Sequence, residues 1–140
     1  MAWQTPKTDW KVTYDAEGNY TGDYFNATDY QRIKGNLLVL KDMADELYSA
    51  VTLPTIPEIT ATSFCYETVI NALERSIDAL ANGTFAVGLF ITKTWYGNDY
   101  APLSDDLNRI EGACLTMHKM LPLQAKARKR LSFTLGGVQF

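Results

Sequence analysis

The sequence predicts a mainly α domain: a three-helix bundle built from a degenerate repeated helical unit, with a small β-hairpin or sheet margin. Three observations carry that expectation. ATDYQRIKG, from Ala27 to Gly35, and SDDLNRIEG, from Ser104 to Gly112, are near copies within 140 residues. A third stretch, INALERSIDAL from Ile70 to Leu80, keeps the order of the pattern but loses its arginine and glycine. All three run into apolar residues spaced three and four apart, the one-sided stripe of an amphipathic helix.

The alignment sets Asp29 on Asp106, Gln31 on Asn108, Arg32 on Arg109, Ile33 on Ile110 and Gly35 on Gly112. In the middle copy Ile70, Asn71, Leu73 and Glu74 fall on Tyr30, Gln31, Ile33 and Lys34. The stripes read Tyr30, Ile33, Leu37, Leu40, Ala44, Leu47; then Tyr66, Ile70, Leu73, Ile77, Leu80; then Leu103, Leu107, Ile110, Cys114, Met117, Leu121. Helices of about 15 to 24 residues are expected, and no such stripe leaves water alone, so the three seams should face one another.

The first helix starts at Asn26, whose partner Asp29 three residues later makes a capping box. Pro54 and Pro57 close the connection after it. Thr62 or Ser63 caps the second helix, which Asn82-Gly83 ends. Ser104 caps the third, Asp105 and Asp106 supply an anionic first turn, and Pro122 breaks or kinks it. Gly35 and Gly112, helical glycines at one repeat position, suggest a close backbone approach. Asp29 with Arg32 and Asp106 with Arg109 are i,i+3 surface pairs worth about 0.2–0.5 kcal/mol each.

TPKTDW ahead of the first copy and ITKTW ahead of the third both place threonine and lysine before a tryptophan, Trp10 and Trp95. The first copy holds eight more residues between its tryptophan and its helix, in VTYDAEGNYTGDYF, which reads as a hairpin about Gly18. TFAVGLFITKTW, from Thr84 to Trp95, is β-branched and aromatic and reads as a strand or extended arm. LSFTLGGVQF at the C-terminus alternates so as to pair with it. The expectation is a single domain over 1–140, with repeat units at about 5–53, 58–83 and 91–122 and extended segments at 10–24, 84–95 and 131–140.

Composition narrows the function classes. The net charge is −3, 46% of residues are hydrophobic and 21% are charged, the balance of an ordinary globular chain. Nucleic acid is not an expected partner, and neither is a membrane, because no segment approaches the roughly 18 apolar residues of a span. The opening residues lack a signal peptide's basic start and apolar run, so the N-x-T triplets at Asn19, Asn26 and Asn82 read as polar turns. Cys65 and Cys114 lie far apart in no metal-binding spacing and are expected to be reduced core thiols.

Catalytic motifs are absent. His118, the only histidine, has no carboxylate or thiol at ligand spacing, and Ser63, Ser104 and Ser132 lack a nucleophile elbow. The basic run Lys126 to Leu131 reads as a solvated helix end, though it also admits a small cytoplasmic adaptor. No enzymatic activity, metal or cofactor is expected. The aromatics outside the helices serve either as lids on the core or as a sticky surface for a partner or glycan. The candidate partner-binding set is Trp3, Trp10, Tyr14, Tyr20, Trp95, Tyr96 and Tyr100, with Trp3 and Trp10 the best placed for contact between molecules.

The opening MAWQTPKTDW, the segment YFNATDYQRIKGNLLVLKDMADEL, the later LSDDLNRIE and the closing LSFTLGG together resemble structural proteins encoded in the tail modules of tailed bacteriophages and prophages of gut Firmicutes. The resemblance implies a non-enzymatic virion component of the tail, baseplate or fibre-attachment region. It would assemble in the bacterial cytoplasm by homo-oligomerisation and docking to other tail or baseplate proteins. A carbohydrate or cell-surface binding module of a phage adhesion device is the alternative, with a host surface glycan as partner.

Overall fold

The computed structural model describes residues 2–48, 51–58, 66–84, 90–97 and 104–138. Three helices form, α1 at Ala27–Leu47, α2 at Tyr66–Asn82 and α3 at Ser104–Val138, and each packs against the other two. The start of α1 is the expected capping box: Asn26 accepts from the Asp29 N–H, and Asp29 reaches back to the Asn26 N–H. The caps expected at Thr62 or Ser63 lie outside the described residues.

The stripes converge. Tyr30, Ile33, Leu37, Leu40 and Ala44 of α1, Ile70, Leu73, Ile77 and Leu80 of α2, and Ile110, Cys114, Met117 and Leu121 of α3 are buried in one cluster. Val51 closes its end, and Gly83, just past α2, sits so close beneath it that an added Cβ would lie 2.7 Å from the Val51 side chain. Any residue larger than glycine would have to push Val51 aside there.

Three expectations are corrected. LSFTLGG is not a strand: α3 runs through Pro122 to Val138. Proline removes one ladder hydrogen bond, but QAKARKRL after it is rich in strong helix formers, and an alternation this short does not outweigh them. The β margin is not shown: the described residues hold no strand, only one isolated antiparallel bridge between Tyr14 and Tyr20. Around it the chain turns through Gly18 at a φ of 86°, held by Thr21 N–H to Thr13 O and Asp15 N–H to Asn19 O. Of the stretch expected as a strand over 84–95, residues 85–89 lie outside the described residues, and 90–95 form no strand.

The third correction concerns Gly112, where a Cβ would meet nothing within 4 Å. No close approach explains this glycine, so Gly112→Ala is expected to stabilise the protein by about 0.5–1 kcal/mol through backbone entropy. Urea unfolding checks this, and a loss of stability would reveal a steric demand at the position.

Cys114 is the buried thiol expected, and burial, aided by the nearby Glu111 charge, pushes it up to about 12. Burial together with the charge of Glu58 does the same to the Tyr30 phenol. In the unfolded chain these groups ionise near their ordinary values of 9.0 and 10.0, so in the interval up to about 12 the folded state holds protons that the unfolded state has lost. Stability should therefore fall as pH rises through that window. Unfolding monitored at pH 8 and pH 11 measures the drop, and equal stability at both would remove the argument. At pH 8 an aromatic disulfide reagent should reach Cys114 only at the rate of unfolding.

Candidate functional site

The chemistry of this protein gathers where the extended arms cross the helices. An arm with no sheet neighbour must still satisfy its backbone N–H and C=O groups. Here asparagine side chains take the place of a neighbouring strand. Asn108 of α3 accepts from the Trp10 N–H at 2.8 Å and donates to the Trp10 carbonyl at 3.0 Å. Asn71 of α2 makes the same pair with Trp95, at 2.7 and 2.8 Å. Asn36 of α1 grips Gln4 likewise, at 2.9 and 2.8 Å.

Three residues beyond Asn108 and Asn71, on the same helix face, stand Glu111 and Glu74. Both are within 1% of complete burial. Glu111 accepts from the Trp10 indole at 2.6 Å, from the Lys7 N–H at 3.0 Å, and from Nε and Nη2 of Arg32 at 2.7 and 2.8 Å. Glu74 accepts from the Trp95 indole at 2.6 Å, from Nη2 of Arg109 at 3.0 Å, and from Nη1 of the same guanidinium. The Lys7 and Lys93 ammonium groups lie over the Trp10 and Trp95 rings, 5.3 and 5.5 Å from their centroids. The two assemblies match in asparagine, glutamate, arginine, indole and ammonium, and differ in the Lys7 N–H that only Glu111 receives.

The arginines thus do more than the expected surface pairing. Arg32 holds Asp29 at 2.9 Å and Arg109 lies 3.6 Å from Asp106, but each also carries its fork across to a buried carboxylate on another helix. Hydrogen bonding to Glu111 raises Arg32 above the usual guanidinium range; burial alone would lower Arg109, and Glu74 and Asp106 together outweigh it. Such a fork satisfies both carboxylate oxygens at once, which a lysine cannot do.

The arrangement is cyclic. The arm ahead of α1 docks on α3, the arm ahead of α3 docks on α2, and the segment ahead of α2 docks on α1, where the Tyr30 hydroxyl donates to the Pro57 carbonyl. In that last groove the arginine position on α2 is Ala72, and the glutamate position on α1 is Lys34, which pairs with Glu58 of the arm. The double change is electrostatically consistent, since a buried glutamate with no arginine opposite would be stranded. The Lys34 ammonium holds the Glu58 carboxyl below the usual range. This groove has no tryptophan among its described residues, and a cleft of about 440 Å³ lies there between α1 and the arm, lined by Lys34, Leu38, Lys41, Leu53 and Ile56.

The candidate partner-binding residues divide sharply. Trp10 is buried and Trp95 half-buried, each committed through its indole N–H, so both belong to the fold. Trp3 stacks on His118 with ring centroids 3.8 Å apart. Tyr96 is exposed, and Tyr100 lies outside the described residues. Tyr14 and Tyr20 do come together with Tyr24 in an edge-to-face row, with centroids 5.5 and 4.9 Å apart. Tyr14 and Tyr24 are exposed.

Sequence reasoning missed Glu74, Glu111 and the three asparagines. The signal for four of them was present: Asn-x-x-Glu occurs at 71–74 and 108–111, each time inside the repeat. Among the described residues no group of histidine, cysteine and carboxylate side chains is arranged to hold a metal ion, and no helix is long and apolar enough to cross a membrane. No family model, no curated protein and no solved structure matches this chain.

Proposed function

We propose that this chain is a non-enzymatic structural protein of a tailed bacteriophage or prophage, acting in tail or baseplate assembly through homo-oligomerisation and docking to other virion proteins. The observation that carries the reading is the use made of the buried charges. Glu74 and Glu111, the two fully buried carboxylates among the described residues, are saturated by donors from the chain itself, and no described buried side-chain nitrogen or oxygen lacks a partner. Polar machinery spent on holding arms to helices suits a scaffold, whereas a reacting site keeps an accessible group free for substrate. The likeness of the opening and of the Arg-Ile helices to tail-module proteins supplies the setting. Light scattering on eluting fractions is expected to show a closed oligomer at high concentration, and a strict monomer there would overturn the proposal.

The tyrosine row favours a second reading, a carbohydrate-binding module of a phage adhesion device. Exposed phenol faces on a short turn suit stacking against sugar rings. Binding on a glycan array that disappears on Tyr14→Ala with Tyr24→Ala would support it, and no binding by the unaltered protein would discard it.

A further inference from the structure

We infer that residues 2–10 form an exchangeable strap: the groove between α1 and α3 that holds them accepts the same segment of a second copy of this chain, with residues 11–25 as the hinge. The inference rests on the homo-oligomeric reading above and gives it an atomic junction. Every hold on the strap is made by another part of the chain. Asn36 grips Gln4, Glu111 takes the Lys7 N–H and the Trp10 indole, Asn108 grips the Trp10 backbone and His118 stacks on Trp3. None of these contacts depends on which copy supplies the strap. The second groove shows that the recognition is of a local feature: α2 holds Trp95 by the same asparagine pair and the same buried glutamate.

The hinge touches the core only at its last residue, Phe25, which packs against the core edge and against the Trp10 ring. Residues 11–19 are exposed, and no residue from 11 to 24 belongs to the core cluster. Their bonds are mostly internal, Thr21 N–H to Thr13 O, Asp23 N–H to Lys11 O and the Thr13 and Thr21 hydroxyls among them. The third repeat has eight fewer residues between its tryptophan and its helix, so the repeat does not require the length of this segment. Fully drawn out, residues 11–25 span about 50 Å, against about 32 Å for the length of α1. That is enough to carry the strap onto a neighbour. Exchange replaces each contact by its equal, so the balance between own and foreign straps is set by concentration.

The test mixes two populations. One carries a nitroxide on Thr8→Cys, an exposed strap position, in a Cys65→Ser background. The other is ¹⁵N-labelled and carries no nitroxide. The two are unfolded and refolded together at high concentration. In an equal mixture the amide signals of Asn108, Glu111 and Gly112 in the ¹⁵N copies are expected to lose up to about half of their intensity in the oligomer, the share of grooves filled by a labelled strap, while those of Asn71 and Glu74 lose clearly less. An oligomer in which the α3 signals stay at full strength, or in which both sets fade alike, overturns the exchange and leaves the homo-oligomeric reading standing. A monomer at every concentration overturns both.

Discussion

Glu111→Gln is expected to destabilise the protein by about 3–5 kcal/mol, the range for breaking a buried ion pair by removing one partner. The substitution leaves the half-buried Arg32 guanidinium facing an amide whose N–H groups repel it, and it strips an acceptor from the cluster of Trp10, Lys7 and Arg32 donors. A domain of this size is stable by only about 5–15 kcal/mol, so the variant should sit close to unfolding at room temperature. Urea titration followed by tryptophan fluorescence measures the loss, and a change below about 1 kcal/mol would mean that the carboxylate is hydrated. Replacing Arg32 and Glu111 together by methionine should recover part of the loss, because two apolar chains leave no charge stranded. Glu74→Gln should behave alike.

Ile110→Ala is expected to cost about 2–5 kcal/mol, from lost transfer energy and the cavity left behind. Ile110 shares the core cluster with Ile33 and Leu73, and all three are buried to within 1%. They occupy the same register position in their three repeats, so Ile33→Ala and Leu73→Ala should cost similar amounts. Neighbours around one cavity do not act independently, and the double variants should therefore depart from additivity by about 0.5–3 kcal/mol. Thermal melts of the singles and doubles test this, and a loss under about 1 kcal/mol for Ile110→Ala would mean that the stripes do not meet.

These two expectations separate what the letters disclosed from what they did not. The stripes were legible because helical period is a local property: Leu37 and Leu40, or Cys114 and Met117, declare a buried face without knowledge of their partners. The capping box at Asn26 and Asp29 was legible for the same reason, being complete within four residues. Glu111 was opaque. A glutamate on a helix is usually solvated, and nothing nearby in the sequence says that Arg32 and Trp10 will close over it from far along the chain. The arms misled for a related reason: β-branched and aromatic composition favours an extended backbone but does not say whether its hydrogen bonds go to a strand or to the amide of Asn71. The helical run past Pro122 was misread because one proline is a weaker signal than the helix formers that follow it.

The asparagine and glutamate contacts bear on how the molecule would respond to mechanical load. Sliding one helix along another by a single turn, about 5.4 Å, would keep leucine against leucine and cost the apolar stripes little. The same shift would carry Glu74 away from Arg109 and Glu111 away from Arg32, leaving each carboxylate in a dry layer with no counter-charge. The paired charges therefore behave as rivets against shear, resisting axial displacement far more strongly than the greased surfaces between them.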